Sequence, residues 1–253
     1  MADTLKRFDI LGVKVSAINM EDACSFINEA IIKNKKIYVC VCPVSTIMEC
    51  YRNKNILKSV NLADLVTPDG MPVVWMGKIK GHNNIRRVYG PDLMLETCKL
   101  SQKSGYRNYF YGSTDYCLGK LQNRLKQIFP NLIISGVFSP PFSELFFEED
   151  GRDIEIINQS KSHILWVGLG SPKQDIWMSK FRDKLNVPVI IGVGAAFDFL
   201  AGTKIQAPRW IRDSGFEWFF RLITEPKRLW RRYLVDGSLF IYYAARELIF
   251  KGF

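Results

Sequence analysis

Five apolar runs of strand length alternate along this chain with amphipathic segments of helix length. The runs are almost continuously apolar, which is typical of strands that are covered on both faces. They lie at 37–42, 107–111, 131–137, 163–169 and 187–193. The helix-length segments lie at about 20–33, 90–103, 114–128, 144–160 and 172–184. This order predicts an α/β fold with a mostly parallel sheet and helices on both faces.

After Gly202 the sequence changes character, because no further strand is predicted and aromatic and basic residues crowd together as far as Phe253. We therefore predict an α/β body over 1–202 and a C-terminal helical, basic-aromatic appendage over 203–253. The aromatic residues are too numerous for an ordinary solvated face, so the appendage must pack on the body or on a membrane surface. They are Trp210, Trp218, Phe219, Phe220, Trp230, Tyr233, Phe240, Tyr242 and Tyr243.

The net charge of +10 is concentrated in two short segments, 77–90 and 221–232. Such a positive field attracts phosphate groups, nucleic acid or an anionic membrane surface. The sequence contains no helix-turn-helix and no RNA-binding signature, so a nucleic-acid partner is not expected.

The sequence also predicts a cytoplasmic location. The N-terminal residues show no secretory signal pattern, and no segment reaches the ~18 apolar residues that a spanning helix needs. The six cysteines all lie in the first half, without a C-x-x-C pair. That usage predicts reduced, mostly buried thiols.

Asp69 stands between Pro68 and Gly70 at the end of an apolar run. Taken alone, this tripeptide is typical of an ordinary turn, because proline presets φ and glycine accepts positive φ. These residues alone favour the ordinary turn, with a functional carboxylate as the alternative.

Two Gly-x-Gly turns follow the last two predicted strands, at Gly168–Gly170 and Gly192–Gly194. Backbone N–H groups at such a turn can bind phosphate where a helix begins. After the first turn, Ser171 and Gln174 have the spacing of a capping box. Neither turn completes G-x-G-x-x-G, since Lys173 and Phe197 occupy the third glycine positions, and this disfavours dinucleotide binding.

The appendage carries Arg221 and Arg228 seven residues apart, a spacing that puts them on one stripe of a continuous helix. Arg231 and Arg232 follow, and Pro226 is a potential break in the helix. Converging guanidinium groups are suited to bind a diphosphate, because each guanidinium can donate two hydrogen bonds to it. A solvated or lipid-facing basic surface explains the same pattern.

No metal and no cofactor are predicted. His82 and His163 are the only histidines and lack ligand spacing. The sequence shows neither a D-x-D pair nor a G-x-S-x-G nucleophile elbow.

Five stretches, in this order, resemble the WecG/TagA/CpsF glycosyltransferases, glycosyltransferase family 26. They are NLADLVTPDG (61–70), RRVYGPDLM (86–94), VGLGSPKQDIW (167–177), GVGAAFDFLAG (192–202) and APRWIRDSGFEWFFRLITEPKRLWRRYL (207–234). The resemblance implies a Rossmann-like body and an appendage that completes the active site at the membrane surface.

The activity that this resemblance implies is an inverting, metal-independent transfer of a hexose or N-acetylhexosamine, with N-acetylmannosamine favoured. The donor would be a nucleotide sugar, UDP-linked, and the acceptor a polyprenyl-diphosphate-linked saccharide of cell-surface polysaccharide biosynthesis. An anionic membrane surface is the further partner, which places the protein at the inner face of the cell membrane. Self-association is left open.

The resemblance also assigns roles to individual residues, beginning with Asp69 as the general base. It implies donor or diphosphate binding by Arg87, Gln174, Arg221, Arg228 and Arg231. The two Gly-x-Gly turns add Gly168, Gly170, Ser171, Lys173, Gly192 and Gly194 as candidates for the same role. Many relatives have a T-x-N motif where this chain has residues 41–43, Val-Cys-Pro. Ser45 and Thr46 are therefore candidates for the sugar or acceptor contacts.

Three alternatives remain open at this stage. A glucosyl- or N-acetylmannosaminuronosyl-transferase would use the same motifs. A nicotinamide-dependent oxidoreductase fits the α/β pattern, and a non-enzymatic membrane-surface module fits the charge. The glycosyltransferase hypothesis requires that Asp69 and the late arginines face a shared cleft.

Overall fold

The computed structural model describes residues 5–141 and 151–251 of the chain. Its strands are β1 (Arg7–Ile10), β2 (Val13–Ser16), β3 (Ile37–Cys42), β4 (Leu65–Pro68), β5 (Arg107–Gly112), β6 (Ile133–Phe138), β7 (Ile164–Gly168) and β8 (Val189–Gly192). Its first nine helices are α1 (Met20–Ile32), α2 (Val44–Arg52), α3 (Lys54–Asn61), α4 (Met71–Ile79), α5 (Gly90–Ser104), α6 (Asp115–Ile128), α7 (Arg152–Gln159), α8 (Lys173–Phe181) and α9 (Ala196–Ala201). The C-terminal segment adds α10 (Arg209–Ser214), α11 (Glu217–Thr224), α12 (Pro226–Trp230), a π-helical turn (Arg231–Val235) and α13 (Asp236–Lys251).

Strands β3 to β8 form one six-stranded sheet in the order β4-β3-β8-β7-β5-β6, and every pairing within it is parallel. Strands β1 and β2 form a separate antiparallel hairpin. The predicted Rossmann-like α/β class is thus confirmed. The hairpin and helices α2 to α4 were not anticipated. The predicted helix at 144–160 lies partly outside the described residues. In the part of it that is described, α7 covers residues 152–159.

Two apolar clusters enclose the sheet, one on each face. On one side β3 to β8 pack against α2, α3, α8 and the hairpin, through buried residues such as Ile47, Val60 and Met178. On the other side they pack against α1, α5, α6 and α9, through residues such as Ile27, Leu93 and Phe197. Where both faces of a strand are buried, its sequence is apolar at nearly every position and does not alternate between apolar and polar residues.

The helices after Gly202 contact the body chiefly through α13. Phe240 and Ala244 are buried in the cluster on the α2 side of the sheet. Glu247 accepts a hydrogen bond from the backbone N–H of Leu11 at 3.0 Å and binds the Nζ of Lys80 at 2.7 Å. None of the helices described here has both the length and the apolar character that crossing a bilayer demands. The domain boundary at 202 stays a prediction.

Candidate functional site

Asp69 follows the carboxyl end of β4 and precedes α4. Its backbone N–H donates to the carbonyl of Cys42 at 3.2 Å, which ties the turn to the end of β3. Gly70 has a φ of 98°, a left-handed conformation that glycine adopts at little cost. The turn therefore directs the carboxylate beyond the edge of the sheet where ligands of parallel α/β sheets bind.

Arg87 joins this turn to the C-terminal helices. Its Nε lies 3.3 Å from Oδ1 of Asp69, and its Nη2 lies 2.5 Å from Oε2 of Glu217. Its Nη1 donates to the carbonyl of Arg212 at 3.2 Å. The guanidinium also covers the ring of Tyr89, with 4.2 Å between its carbon and the ring centroid. One side chain thus holds the candidate base and the first turn of α11.

The charges in this cluster oppose one another. Burial raises the pKa of Asp69 above its ordinary value, the Arg87 guanidinium opposes that rise, and the Glu217 carboxylate reinforces it. Burial disfavours the charged form of Arg87, but the two carboxylates raise its pKa overall. Arg87 therefore stays protonated while Asp69 becomes a stronger base than an aspartate in water.

Asp69 and Arg87 line a cavity of about 400 Å³, which we call the Asp69 cavity. It lies beyond the carboxyl ends of β3 and β4. The C-terminal helices supply its other wall. Further polar residues that line it are Ser45, Glu217, Arg221, Arg232 and Ser238. Its apolar walls include Val44, Met71, Trp75, Trp218, Tyr233, Leu234, Phe240 and Ile241.

A second cavity, of about 390 Å³, lies beyond the carboxyl ends of β5, β7 and β8, and we call it the glycine cavity. The residues that line it include Ser113, Thr114, Gly168, Gly170, Lys173, Gly194, Asp198, Lys204 and Arg228. Within its wall, the Nζ of Lys204 binds Oδ2 of Asp198 at 3.1 Å. The sequence pointed to one site, whereas the structure places its members in two cavities.

Pro226 explains how the tail arginines are divided. It begins α12 and separates that helix from α11, because proline provides no N–H for a continuous ladder. The break anticipated at Pro226 is therefore confirmed, and Arg221 and Arg228 do not share one continuous helical stripe. Arg221 lines the Asp69 cavity, and Arg228 lines the glycine cavity. Arg231 lies against the ring of Trp230 at 5.7 Å and lines neither cavity.

The Gly-x-Gly turns combine close packing with an unusual backbone. A Cβ on Gly168 would lie 2.5 Å from the ring of Phe197, and one on Gly192 would lie 2.6 Å from Cε of Met178. Gly170 has a φ of 80° and open space around its α-carbon. Gly168 and Gly192 are thus required by packing, whereas Gly170 shapes the wall of the glycine cavity.

Ser171 does not form the predicted capping box. Helix α8 begins at Lys173 with Pro172 as its N-cap, and no side chain caps it. The Ser171 hydroxyl instead donates to Asp175 and lies 3.0 Å from Oγ1 of Thr46. Thr46 is therefore buried against this hydroxyl, whereas Ser45 faces the Asp69 cavity.

Gln174 lies buried beside the two glycines of the second turn. A Cβ on Gly192 would lie 3.1 Å from its Nε2, and one on Gly194 would lie 3.4 Å from its Oε1. That Oε1 has no hydrogen-bond partner among the described residues. Gln174 therefore supports the back of the glycine turns, and direct contact with a ligand stays a prediction.

Asp175 provides a test of the buried network behind these turns. Burial raises its pKa from an ordinary value of 3.8 to about 6, although hydrogen bonds from Ser171 and Cys40 oppose the shift. Its contribution to the free energy of unfolding is complete below pH 3.8 and is lost as the pH rises through about 6. We expect Asp175→Asn to remove this pH dependence in urea unfolding curves recorded from pH 4 to 8. An unchanged dependence would contradict a buried, titrating Asp175.

Residues 5–141 and 151–251 contain neither a metal-binding cluster nor a disulfide. No three His, Cys, Asp or Glu side chains in these ranges are grouped so that they could hold a metal ion. The six cysteines are free, and all but Cys24 are buried. The metal-independent mechanism stays a prediction.

Sequence reasoning did not assign roles to Glu217, Tyr89 or Arg232, which the structure places beside Asp69 and Arg87. Glu217 had a usable signal. It is the one acidic residue of its helix, stands at the helix start and lies four positions before Arg221. Its partner Arg87 is 130 residues away, so local periodicity could not reveal the pair.

Comparison with known proteins gives consistent results. A relative from Bacillus spizizenii is 28% identical over 202 residues, which cover 80% of this chain and 76% of the relative. A Staphylococcus aureus relative is 28% identical and covers 75% of this chain and 72% of its own length. Both are named N-acetylglucosaminyldiphosphoundecaprenol N-acetyl-beta-D-mannosaminyltransferase. The profile of the glycosyl transferase WecG/TagA/CpsF family matches residues 8–252. The chain therefore belongs to the WecG/TagA/CpsF family of glycosyltransferases.

Proposed function

We propose that the protein transfers N-acetylmannosamine from UDP-N-acetylmannosamine to N-acetylglucosaminyl-diphospho-undecaprenol, with inversion at the anomeric carbon. The observation that carries the proposal is the partly buried Asp69–Arg87 pair in a cavity completed by the C-terminal helices. The names of the relatives support this choice of sugar and acceptor. Family membership favours glycosyl transfer over nicotinamide-dependent oxidation or membrane binding alone.

Asp69 acts in this proposal as the general base. The acceptor hydroxyl oxygen attacks the anomeric carbon while Asp69 takes its proton, and the bond to the UDP oxygen breaks on the opposite face. One base suffices for such a displacement, and the close carboxylate pair of a retaining hydrolase is not needed. The raised pKa of Asp69 improves the match with the hydroxyl whose proton it removes.

The glycine cavity holds the leaving UDP in this proposal. Gly168 and Gly170 provide a turn before α8, where backbone N–H groups favour phosphate. Lys204 and Arg228 line the same cavity and place positive charge near the diphosphate. Cations fixed where charge develops lower the barrier for departure of the leaving group.

The C-terminal helices also give the protein a surface for peripheral attachment at the inner face of the cell membrane. Large apolar side chains are exposed on this part of the molecule, among them Trp210, Phe219, Ile249 and Phe250. Aromatic rings prefer the interface of a bilayer. Each Lys or Arg near an anionic leaflet adds about 1 kcal/mol of attraction. A membrane-bound protein would meet its lipid-linked acceptor directly.

A donor screen tests the proposed function. The purified protein is mixed with a short-chain prenyl-diphosphate-linked N-acetylglucosamine and with UDP-N-acetylmannosamine, UDP-glucose or UDP-N-acetylmannosaminuronic acid. We expect transfer from UDP-N-acetylmannosamine only, with a β-linked product by NMR. The same donor at 100 times its Kd should raise the free energy of unfolding by about 2.7 kcal/mol. Exclusive transfer from another donor, or stabilisation by NADH alone, would contradict the proposal.

A further inference from the structure

Two arginines of the Asp69 cavity lack the acidic partner that their neighbours have. Arg87, Arg212 and Arg228 each bind an aspartate or glutamate side chain. Arg221 and Arg232 form no ion pair with any residue in 5–141 or 151–251, and both line the cavity. The Nε of Arg221 is buried and has no hydrogen-bond partner in those ranges. The cavity therefore contains two guanidinium groups that no carboxylate of these ranges binds directly, although Asp69 and Glu217 line the same cavity.

The two side chains are close enough to affect each other. Burial lowers the pKa of Arg232, and the positive charge of Arg221 lowers it further. The electrostatic effects of Tyr233 and Asp69 raise the pKa and so oppose this change. Arg221 meanwhile lies against an aromatic ring, with its guanidinium carbon 5.1 Å from the centroid of Phe199. Buried charges that lack a counterion are unfavourable. An anion bound between the two guanidinium groups would remove that cost.

The cavity wall beside these arginines is apolar and continues to the surface. Trp218 is 41% exposed, Leu234 and Trp75 are each 52% exposed, and Ile241 is 68% exposed. All four residues line the cavity. A cationic centre that opens onto exposed apolar side chains matches an amphiphile with an anionic head and a hydrocarbon tail.

We propose that Arg232, together with Arg221, binds the diphosphate of the lipid-linked acceptor, and that the apolar rim contacts the first isoprene units. The choice of a prenyl diphosphate rests on the proposed function. Each guanidinium can donate two parallel hydrogen bonds to a phosphate group. The reaction involves two diphosphates, and this proposal separates them. The acceptor's diphosphate lies in the Asp69 cavity, and the donor's lies in the glycine cavity.

The experiment measures binding rather than turnover. Farnesyl diphosphate, inorganic pyrophosphate and UDP are titrated calorimetrically into the full-length protein and its Arg232→Gln and Arg246→Gln variants. Arg246 is the matched control, because it is an exposed residue of α13, 6.0 Å from the ring of Phe250, and lines neither cavity. We expect the wild type to bind farnesyl diphosphate more tightly than pyrophosphate. Arg232→Gln should weaken farnesyl diphosphate binding by about tenfold or more and leave UDP binding within about twofold. Arg246→Gln should change neither.

Three results would overturn the assignment: no farnesyl diphosphate binding by the wild type, unchanged binding by Arg232→Gln, or an equal loss of UDP binding. Should Arg232→Gln fail to fold, Arg232→Lys provides the same test. Lysine keeps the positive charge but lacks the planar guanidinium that donates two parallel hydrogen bonds. The Arg232→Lys variant should therefore bind farnesyl diphosphate more weakly than the wild type but still detectably. A donor screen without N-acetylmannosaminyl transfer would reject the proposed function and leave this anion site intact. Normal transfer with unchanged farnesyl diphosphate binding would reject the site alone.

Discussion

Asp69→Asn is expected to lower kcat by about 10²–10⁴-fold, the range that a positioned general base contributes. Asparagine has nearly the same shape, so the turn and the cavity should persist, but its side chain cannot take a proton. Donor affinity should hold because the proposed UDP site lies in the glycine cavity. Initial rates with a prenyl-diphosphate acceptor, together with the Kd for UDP, would measure both quantities.

Asp183→Asn is the matched control for this change. Asp183 is exposed and lies just before β8, at the amino end of the sheet and away from both cavities. The same loss of one carboxylate there should leave kcat unaltered. A near-normal rate in Asp69→Asn would eliminate Asp69 as the base.

The pH profile of the wild type gives the sign of the effect. Burial raises the pKa of Asp69, and the base works only when it has lost its proton. Activity should therefore fall as the pH drops through a value above the ordinary aspartate range, and Asp69→Asn should lose this acidic limb.

Arg87→Met is expected to produce the second large effect, a loss of about 3–5 kcal/mol in the free energy of unfolding. The change leaves the carboxylates of Asp69 and Glu217 buried without their shared cation. It also removes the positive charge that opposes the rise in the pKa of Asp69, so the acidic limb of any remaining activity should move to higher pH. Urea unfolding at pH 7 would measure the stability change.

Arg52→Met serves as its control. Arg52 also binds a carboxylate of the C-terminal segment, that of Asp236, but its side chain is 42% exposed. Exposed ion pairs contribute about 0–1 kcal/mol, so this variant should unfold close to the wild type. Equal losses in the two variants would mean that the Arg87 cluster contributes no more than an exposed ion pair.

The sheet was largely predictable because its strands are buried on both faces. Within the run 163–169, the strand is apolar at every buried position from Ile164 to Val167, and the resulting pattern is visible without any tertiary information. The β1–β2 hairpin has strands of only four residues each, too short to give a clear periodic signal. Helices α2 and α3 were missed for a similar reason, since each has fewer than ten residues.

The site was predictable in its residue types but not in its arrangement. The spacing of Arg221 and Arg228 fits one surface only on an unbroken helix. The helix breaks at Pro226, as the sequence allowed, but the assignment of the two arginines to different cavities depends on tertiary packing. Burial of Glu217 against Arg87 depends on how α11 docks on the body, which sequence spacing does not encode. The charge of each residue is a local property, whereas its counterion is set by tertiary packing.

The π-helical turn at Arg231–Val235 affects the orientation of everything that follows it. Such a turn closes its hydrogen bond over five residues instead of four, here from the N–H of Asp236 to the carbonyl of Arg231. Successive residues of an ordinary helix point about 100° apart, so one additional residue rotates the rest of the helix by roughly that angle. The widened turn thus lets Arg232 line the Asp69 cavity while Phe240, two turns later, enters the core. Chain length in this turn is therefore under constraint, because it sets the directions of both Arg232 and Phe240.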